Sequence, residues 1–273
     1  MKTDTLLLDV GGTFIKCSDG RSIPIDSAAG RDAISASLRE AVAPMLEQCR
    51  ERASGEGLSV GVCIPGPFDY REGVFLMKHK FASVYGEKFS DLAGLPAGVR
   101  TAFVHDVNAP LMGLLSLRKE LRGGTVALIT LGTGLGFSYA VDGKVQMNEN
   151  LGPARSLYDR PYRDGILEDY VSRRAILKAY GRPVEGDVKE ISQRARNGEK
   201  EAAEAFLAAG RALAEGARSL LEELGVRRIF FGGQIARSFD LMEPAVREGL
   251  PGIAPEVIDD YGRAVRAGIA SLL

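Results

Sequence analysis

The sequence of 273 residues has no tryptophan, two histidines and only three cysteines. Cys17, Cys49 and Cys63 are widely spaced and form no CxxC pair, so neither a disulfide framework nor a thiolate metal site is predicted. No run approaches about 18 apolar residues, and Asp9 interrupts the apolar stretch near the N-terminus, which excludes a membrane span and a signal peptide. These absences favour a cytoplasmic protein.

The chain also lacks an excess of charge of either sign. Lys plus Arg number 35 and Asp plus Glu number 36, which leaves a formal net charge of −1. Without a basic stripe to follow a phosphate backbone, nucleic acid is not a predicted partner. Hydrophobic residues make up 45% of the chain, enough to fill the core of one large domain or two ordinary ones.

Apolar strands alternate with longer helical patterns along the chain, which is typical of an α/β architecture. The segments TLLLDV, FIKCSDG, RSIPI, LSVGVCIPG, RTAFVHD and VRRIFFGG predict strands, and LITLGTGLGFSYAVDGKV predicts a hairpin. Two groups of a strand and a hairpin, each opening near a glycine turn, indicate two duplicated α/β lobes. Helices are predicted over residues 31–52, 109–121 with Asn108 as the cap, 166–181, 199–225 with Gly225 ending it, and 263–273.

Three glycine turns follow apolar strands: DVGGTFIK at 9–16, LGTGLG at 131–136 and FFGGQIA at 230–236. Glycine has no Cβ, so such turns expose backbone N–H groups and build concave anion sites. Any one alone indicates only a tight hairpin or a packing turn. The three turns together favour phosphate binding, and two of them carry a threonine, Thr13 or Thr133. The P-loop and GxGxxG patterns are missing.

The order of LLLDVGGTFIK, GVCIPGPFD, FVHDVNAP, LITLGTGLG and IFFGGQIA resembles the ROK sugar kinases, of the hexokinase, actin and heat-shock-70 ATPase superfamily. The likeness spans nearly the whole chain. It implies two ribonuclease-H-like α/β lobes around a central cleft, the actin-like ATPase fold, with residues 1–110 plus 262–273 in one lobe and 111–261 in the other. It also implies ATP, Mg²⁺, a small-molecule sugar substrate and a homodimer.

The resemblance assigns the nucleotide to the glycine turns, whose N–H groups would neutralise charge that grows on phosphoryl oxygens. Asp9 stands where family members place a residue near Mg²⁺, and the alternative is a turn-forming Asp. Lys16 stands where some members carry a lysine, and the alternative is an exposed hairpin lysine. The implied nucleotide-binding positions are Gly11, Gly12, Thr13, Lys16, Gly132, Thr133, Gly134, Gly232 and Gly233.

Asp106, in FVHDVN, matches the Asp of the family's Asn-Asp pair, which takes the proton from the sugar hydroxyl. A carboxylate suits this role because it first orients the hydroxyl and then accepts its proton, typically worth about 10²–10⁴-fold in rate. The alternative is an Asp that caps the following helix.

The sugar side departs from the family pattern. Family members usually carry Glu-x-Gly-His after the second hairpin, where this chain has residues 150–153, NLGP, and their cysteine-rich zinc loop is replaced by RSLYDRPYRDG. Without Cys or His in that loop, no structural zinc is expected. Glu168 either accepts a hydrogen bond from a substrate hydroxyl or is only the first residue of a helix, where the dipole favours a Glu. His105 stands in place of a sugar-contacting Asn, and it either contacts the substrate or has a structural role. The implied sugar-site positions are Gly66, His105, Asp106, Asn150 and Glu168.

Two further alternatives concern the substrate and the activity. Basic residues near the expected sugar site lead to the hypothesis of an anionic acceptor. A catalytically silent sugar- or nucleotide-binding protein, or a kinase of a non-sugar acceptor, also fits the motifs. The first strand is expected from residue 5, which argues against the N-terminal helix-turn-helix of DNA-binding relatives. The basic residues in question are Lys78, His79, Lys80, Arg155, Arg160 and Arg163.

Overall fold

The computed structural model describes residues 4–50 and 57–273, with the side chains of residues 4 and 48–50 left out. The Cys49 side chain and residues 51–52 of the helix predicted over 31–52 therefore lie outside the description. The chain divides into two compact units. Unit 1 comprises Met1–Arg118, Met147–Ala154 and Gly262–Leu273, and unit 2 comprises Lys119–Gln146 and Arg155–Tyr261.

Strands and helices follow one another in the alternation that the sequence predicts. The strands are β1 Asp4–Val10, β2 Phe14–Cys17, β3 Ser22–Pro24, β4 Leu58–Ile64, β5 Phe68–Asp69, β6 Val74–Phe75, β7 Arg100–His105, β8 Thr125–Leu131, β9 Leu135–Val141, β10 Lys144–Val145, β11 Pro161–Tyr162, β12 Gly165–Ile166, β13 Arg228–Gly232 and β14 Ala254–Val257. The helices are α1 Arg31–Arg50, α2 Phe89–Ala93, α3 Asn108–Leu117, α4 Glu168–Val171, α5 Arg173–Tyr180, α6 Asp187–Arg196, α7 Lys200–Glu223, α8 Glu243–Gly249 and α9 Tyr261–Ala270.

Each unit is built on a five-stranded sheet with the same strand plan. In unit 1 the order is β3-β2-β1-β4-β7, and in unit 2 it is β10-β9-β8-β13-β14. The first three strands of each sheet pair antiparallel as a meander, and the last two are added parallel to the first. All seven residues of β4 are buried, as expected of a parallel strand covered on both faces. The predicted α/β class with two lobes of duplicated plan is confirmed.

Helix α7 ends as the sequence predicts. Gly225 follows it with a φ of +66°, in the left-handed region that glycine adopts without a Cβ penalty. The Gly225 N–H donates to the Glu222 carbonyl at 3.0 Å, and the Val226 N–H donates to the Leu221 carbonyl at 2.9 Å. These two bonds form a Schellman motif, which satisfies the last carbonyls of the helix.

Two helix predictions need correction. The helix predicted over 166–181 is divided into α4 and α5 at Ser172, whose ψ of 174° is extended. The break follows from a competing bond, because the Arg173 N–H donates to the Gly132 carbonyl at 2.9 Å rather than to its own helix. Asn108 does not cap α3 but is its first residue, fully buried, and its Nδ2 donates to the Leu151 carbonyl at 3.3 Å.

Within unit 1, α3 and α9 cross at glycines. A Cβ on Gly113 would overlap the Ala264 carbonyl, and a Cβ on Gly268 would overlap the Ala109 carbonyl. The backbones therefore approach each other more closely than any larger residue allows. Since α3 begins two residues after Asp106, this crossing fixes the helix next to the predicted base. Among residues 4–50 and 57–273, no helix is long and apolar enough to span a membrane.

Candidate active site

Asp9 and Asp106 lie at the carboxyl edge of the parallel strands of unit 1. Asp9, near the end of β1, pairs in register with Cys63 on β4, and Cys63 pairs with Val104 on β7. Asp106 follows the last residue of β7 directly. Ligands of open α/β sheets bind outside the carboxyl ends of their strands, so both carboxylates occupy the edge where chemistry is expected.

Asp9 is a partly buried carboxylate whose surroundings favour the protonated form. Burial raises its pKa above the ordinary value, Lys16 opposes that shift, and Asp106 adds to it. The Cys63 thiol hydrogen-bonds the carboxylate, and the Lys16 Nζ lies 3.8 Å from Asp9 Oδ2. Because the Lys16 side chain is 66% exposed, its compensation is partly screened by water. A divalent cation would favour the ionised form of Asp9.

Asp106 has the opposite electrostatic balance. Burial alone would raise its pKa, but the His105 ring, Lys80 and the Val107 N–H together lower the pKa below the ordinary value. The His105 Nδ1 lies 2.8 Å from Asp106 Oδ1, and the Asp106 side chain remains 45% exposed. Asp106 is therefore an ionised carboxylate at neutral pH, held beside His105 and accessible from solvent.

His105, predicted as a sugar contact, is placed against Asp106 and Gly66. A Cβ on Gly66 would lie 3.3 Å from the His105 Nε2 and 3.1 Å from the Tyr70 Oη, so the glycine leaves room for both side chains. The centroids of the His105 and Tyr70 rings are 5.7 Å apart. The structure thus brings Gly66, His105 and Asp106 together. Tyr70 adjoins them although nothing in the sequence singles it out.

The segment around Asn150 belongs to unit 1 and is organised by a residue that the sequence reasoning missed. The Asn148 Oδ1 accepts hydrogen bonds from the Asn150 and Gly152 N–H groups, both at 3.0 Å. Asn108 on α3 donates to Leu151 in the same segment. Asn150 is therefore held on a loop that is bonded to the helix following Asp106, with its own side chain exposed.

The first glycine turn leaves two neighbouring N–H groups available. The Gly11 N–H donates to the Phe14 carbonyl at 2.9 Å, while the Gly12 and Thr13 carbonyls accept from Ser27 and Ile25, both at 3.0 Å. Within the described ranges, the N–H groups of Gly12 and Thr13 donate to no other residue. Adjacent N–H groups of this kind form an anion-binding site.

The second turn, in unit 2, has the same character. The Gly132 N–H donates to the Gly134 carbonyl at 3.1 Å, which closes the turn. For the part of the chain that the structure covers, the N–H groups of Thr133 and Gly134 have no acceptor. The Leu135 N–H, by contrast, donates to Glu168 Oε2 at 2.8 Å. The sequence did not predict this contact of Glu168.

The third turn has a packing reason for its glycines. A Cβ on Gly232 would overlap the Tyr261 ring. Gly233 has a φ of +92°, and its Cβ would overlap the Leu131 carbonyl. These glycines let the end of β13 lie close to the end of β8, where the second turn begins.

The segment that replaces the family's zinc loop is bonded to one face of α7. The three arginines predicted there as anion binders are engaged locally, since two bond to α7 and Arg163 lies over the Tyr162 and Tyr170 rings at 5.1 and 5.5 Å. In the described ranges, no group of three or more His, Cys, Asp or Glu is arranged to hold a metal ion. The contacts with α7 are Tyr162 Oη to Glu215 at 2.6 Å, Arg160 to Ser219 at 2.9 Å, and Arg155 to Glu223 at 2.7 and 2.9 Å.

Solved structures similar to this one include ROK proteins. The chain is 23% identical to the ROK hexokinase from Thermus thermophilus, covering 97% of this chain and 96% of that one, with a TM-score of 0.71. It is 22% identical to a ROK family glucokinase from Streptomyces griseus, solved with glucose and AMPPNP, covering 98% of each chain with a TM-score of 0.74. The two units therefore form the actin-like ATPase fold.

The ROK family model matches residues 6–259, and the chain belongs to the ROK family. Not every similar structure is a kinase. A ROK family transcriptional regulator, a homologue of the E. coli MLC protein, is 18% identical, with 98% of this chain and 78% of that chain covered and a TM-score of 0.75. No curated protein matches the sequence.

Proposed function

We propose that this protein is an ATP-dependent carbohydrate kinase that phosphorylates a hydroxyl of a sugar or sugar derivative, with Asp106 as general base. The observation that carries the proposal is the Asp106 carboxylate, ionised, oriented by His105 and accessible at the carboxyl edge of the sheet. Two similar structures are a glucokinase bound to glucose and AMPPNP and an inorganic polyphosphate/ATP-glucomannokinase from an Arthrobacter strain.

The nucleotide phosphates are assigned to the N–H groups of the Gly11–Thr13 and Gly132–Gly134 turns. Pairs of neighbouring N–H groups in both turns support this assignment, because they are already oriented and have no acceptor among the described residues. Such preorganised donors stabilise charge on the transferring phosphoryl group. Lys16 is assigned to the phosphates as well, and Gly232 with Gly233 to the adenosine side.

Asp9 is the residue that fits a Mg²⁺ ion. Its carboxylate is partly buried, and burial together with the neighbouring Asp106 raises its pKa, so a cation bound there would stabilise the ionised form. Mg²⁺ takes oxygen ligands and is commonly held by one or two carboxylates together with substrate phosphates. When bound, the ion would neutralise phosphate charge during transfer.

In the proposed reaction, the sugar hydroxyl oxygen bonds to the γ-phosphorus while the bond to the β,γ-bridging oxygen breaks. ADP leaves with that oxygen, and the hydroxyl proton passes to Asp106. When the His105 Nδ1 carries a proton it donates to Asp106 Oδ1, 2.8 Å away, and so holds the base in one orientation. Gly66, His105, Asn150 and Glu168 are assigned to the sugar.

The acceptor is best sought among both neutral and acidic sugars. Lys80 acts electrostatically on Asp106, so a positive group lies near the base, whereas the three arginines of the 155–163 segment are engaged with unit 2. Changed polar groups in a sugar pocket alter specificity steeply, because an unmatched group stays unpaired.

Phosphorylation profiling tests the proposal. The purified protein is incubated with ATP and Mg²⁺ and a panel of neutral, amino and acidic sugars, and phosphorylated products are detected by mass. Sugar phosphate formed by the wild type and lost in Asp106→Asn is the expected result. ATP or sugar binding without product across the panel would instead favour a silent binding protein, a reading kept open by the similar transcriptional regulator.

A further inference from the structure

Glu168 touches the second glycine turn directly. Its Oε2 accepts the Leu135 N–H at 2.8 Å, at the first residue after the turn. A Cβ on Gly134 would lie 2.7 Å from the same Oε2, closer than real Cβ atoms come, and 3.4 Å from the Glu168 Cδ, an ordinary contact. Gly132, in the same turn, has nothing within 4 Å of such a Cβ. The glycine at 134 is therefore explained by the carboxylate packed against it.

The backbone that carries Glu168 is itself held in place. Leu167, fully buried, packs on α7 where Gly216 leaves room for it: a Cβ on Gly216 would lie 2.5 Å from Leu167 Cδ1. Five residues after Glu168, the Arg173 N–H donates to the Gly132 carbonyl at 2.9 Å. The start of the turn is thus bonded to α5 and its end to α4.

These bonds decide which N–H groups of the turn remain available. Those of Gly132 and Leu135 are occupied by the Gly134 carbonyl and by Glu168. Thr133 and Gly134, between them, keep theirs without an acceptor among the described residues. The Glu168 carboxylate is negatively charged, as a phosphate is, so it does not bind a phosphate directly. Glu168 therefore affects phosphate binding through the turn that it holds.

We propose that Glu168 is a positioning residue for ATP: by binding the Leu135 N–H against Gly134, it fixes the 132–134 turn in the shape that binds phosphate. This inference rests on the proposed function and gives Glu168 a role separate from its assignment to the sugar. If Glu168 accepts a hydrogen bond from the sugar hydroxyl, its loss weakens sugar binding. If it positions the turn, its loss weakens ATP binding even when no sugar is present.

Direct binding of Mg²⁺·ATP, measured by calorimetry without sugar, tests the inference. Glu168→Ala removes a charge-assisted hydrogen bond and is expected to weaken ATP binding about 10- to 100-fold. Glu168→Gln keeps an acceptor oxygen at the same position and should lose much less. Asp169→Asn is the matched control, because it removes the neighbouring charge in α4 but bonds to Ile166 and Arg174, and it should bind ATP as the wild type does.

A double-mutant cycle tests the contact itself. Gly134→Ala should weaken ATP binding strongly in the wild type, where the new methyl group meets Glu168, and less when Glu168→Ala has already removed the carboxylate. ATP binding by Glu168→Ala equal to the wild type, with only the sugar KM raised, would overturn the inference and leave the proposed function intact. Failure of the wild type to bind ATP would overturn both.

Discussion

Gly113→Ala is expected to destabilise the protein through the crossing of α3 and α9. The new Cβ would overlap the Ala264 carbonyl and lie 2.7 Å from the Gly268 N, and both are backbone atoms that cannot rotate away. Inserting a methyl group into such a site costs about 1–3 kcal/mol. Alanine's better helix propensity offsets about 1 kcal/mol of that cost. Because the overlap is with rigid backbone, the cost lies at the upper end of that range, and the net loss is about 2 kcal/mol.

Thermal unfolding measures this loss, because about 1 kcal/mol lowers the Tm of a chain of this size by about 2–4 °C. The matched control is Gly123→Ala, whose Cβ meets nothing within 4 Å and whose φ is not positive. It should leave the Tm unchanged or raise it slightly. A Gly113→Ala protein as stable as the control would show that the two helices do not cross as closely as described.

Three further predictions concern the site and its surroundings. Because the folded protein raises the pKa of Asp9, the folded state binds that proton more tightly than the unfolded state does, and stability falls as pH rises from the ordinary pKa through the folded one. Asp9→Asn should therefore raise the Tm at neutral pH, raise it less in acid, and abolish turnover. An unchanged Tm at pH 7 would contradict the inference that burial destabilises the ionised Asp9. His105→Asn removes a group that lowers the pKa of Asp106, so the acid limb of the pH–kcat profile should move to higher pH. An acid limb at the wild-type pH would show that His105 does not set the pKa of the catalytic base. A strong zinc chelator should leave the Tm unchanged, whereas a fall would reveal a structural zinc ion.

The plan of the two five-stranded sheets, apart from β14, was predictable because each signal for it is local. An apolar run followed by Gly11-Gly12 or by the 132–134 turn specifies a strand and its return, and the parallel strands follow from the alternation with helices. The family's motifs fall on the same edges, which is why Asp9 and Asp106 were predicted from the sequence. Both lie at the carboxyl ends of strands, as the motif order requires.

The parts that could not be predicted depend on contacts between distant segments. The helix over 166–181 is divided at Ser172 because Arg173 bonds to a carbonyl forty-one residues earlier in the chain. Asn is a residue type that favours helix caps, but the buried Asn108 side chain donates to the Leu151 carbonyl instead. The contact of Glu168 with the second turn belongs to the same class, since no spacing in the sequence shows that Gly134 leaves room for a carboxylate.

Transfer of labelled γ-phosphoryl from ATP to a sugar tests the central claim most directly. With saturating Mg²⁺·ATP and each sugar of the panel, the wild type is predicted to form a labelled sugar phosphate, and Asp106→Asn to bind ATP normally but form product at least about 100-fold more slowly. Sugar phosphorylation by Asp106→Asn at the wild-type rate, or ATP binding by the wild type with no labelled sugar phosphate from any sugar, would contradict the account.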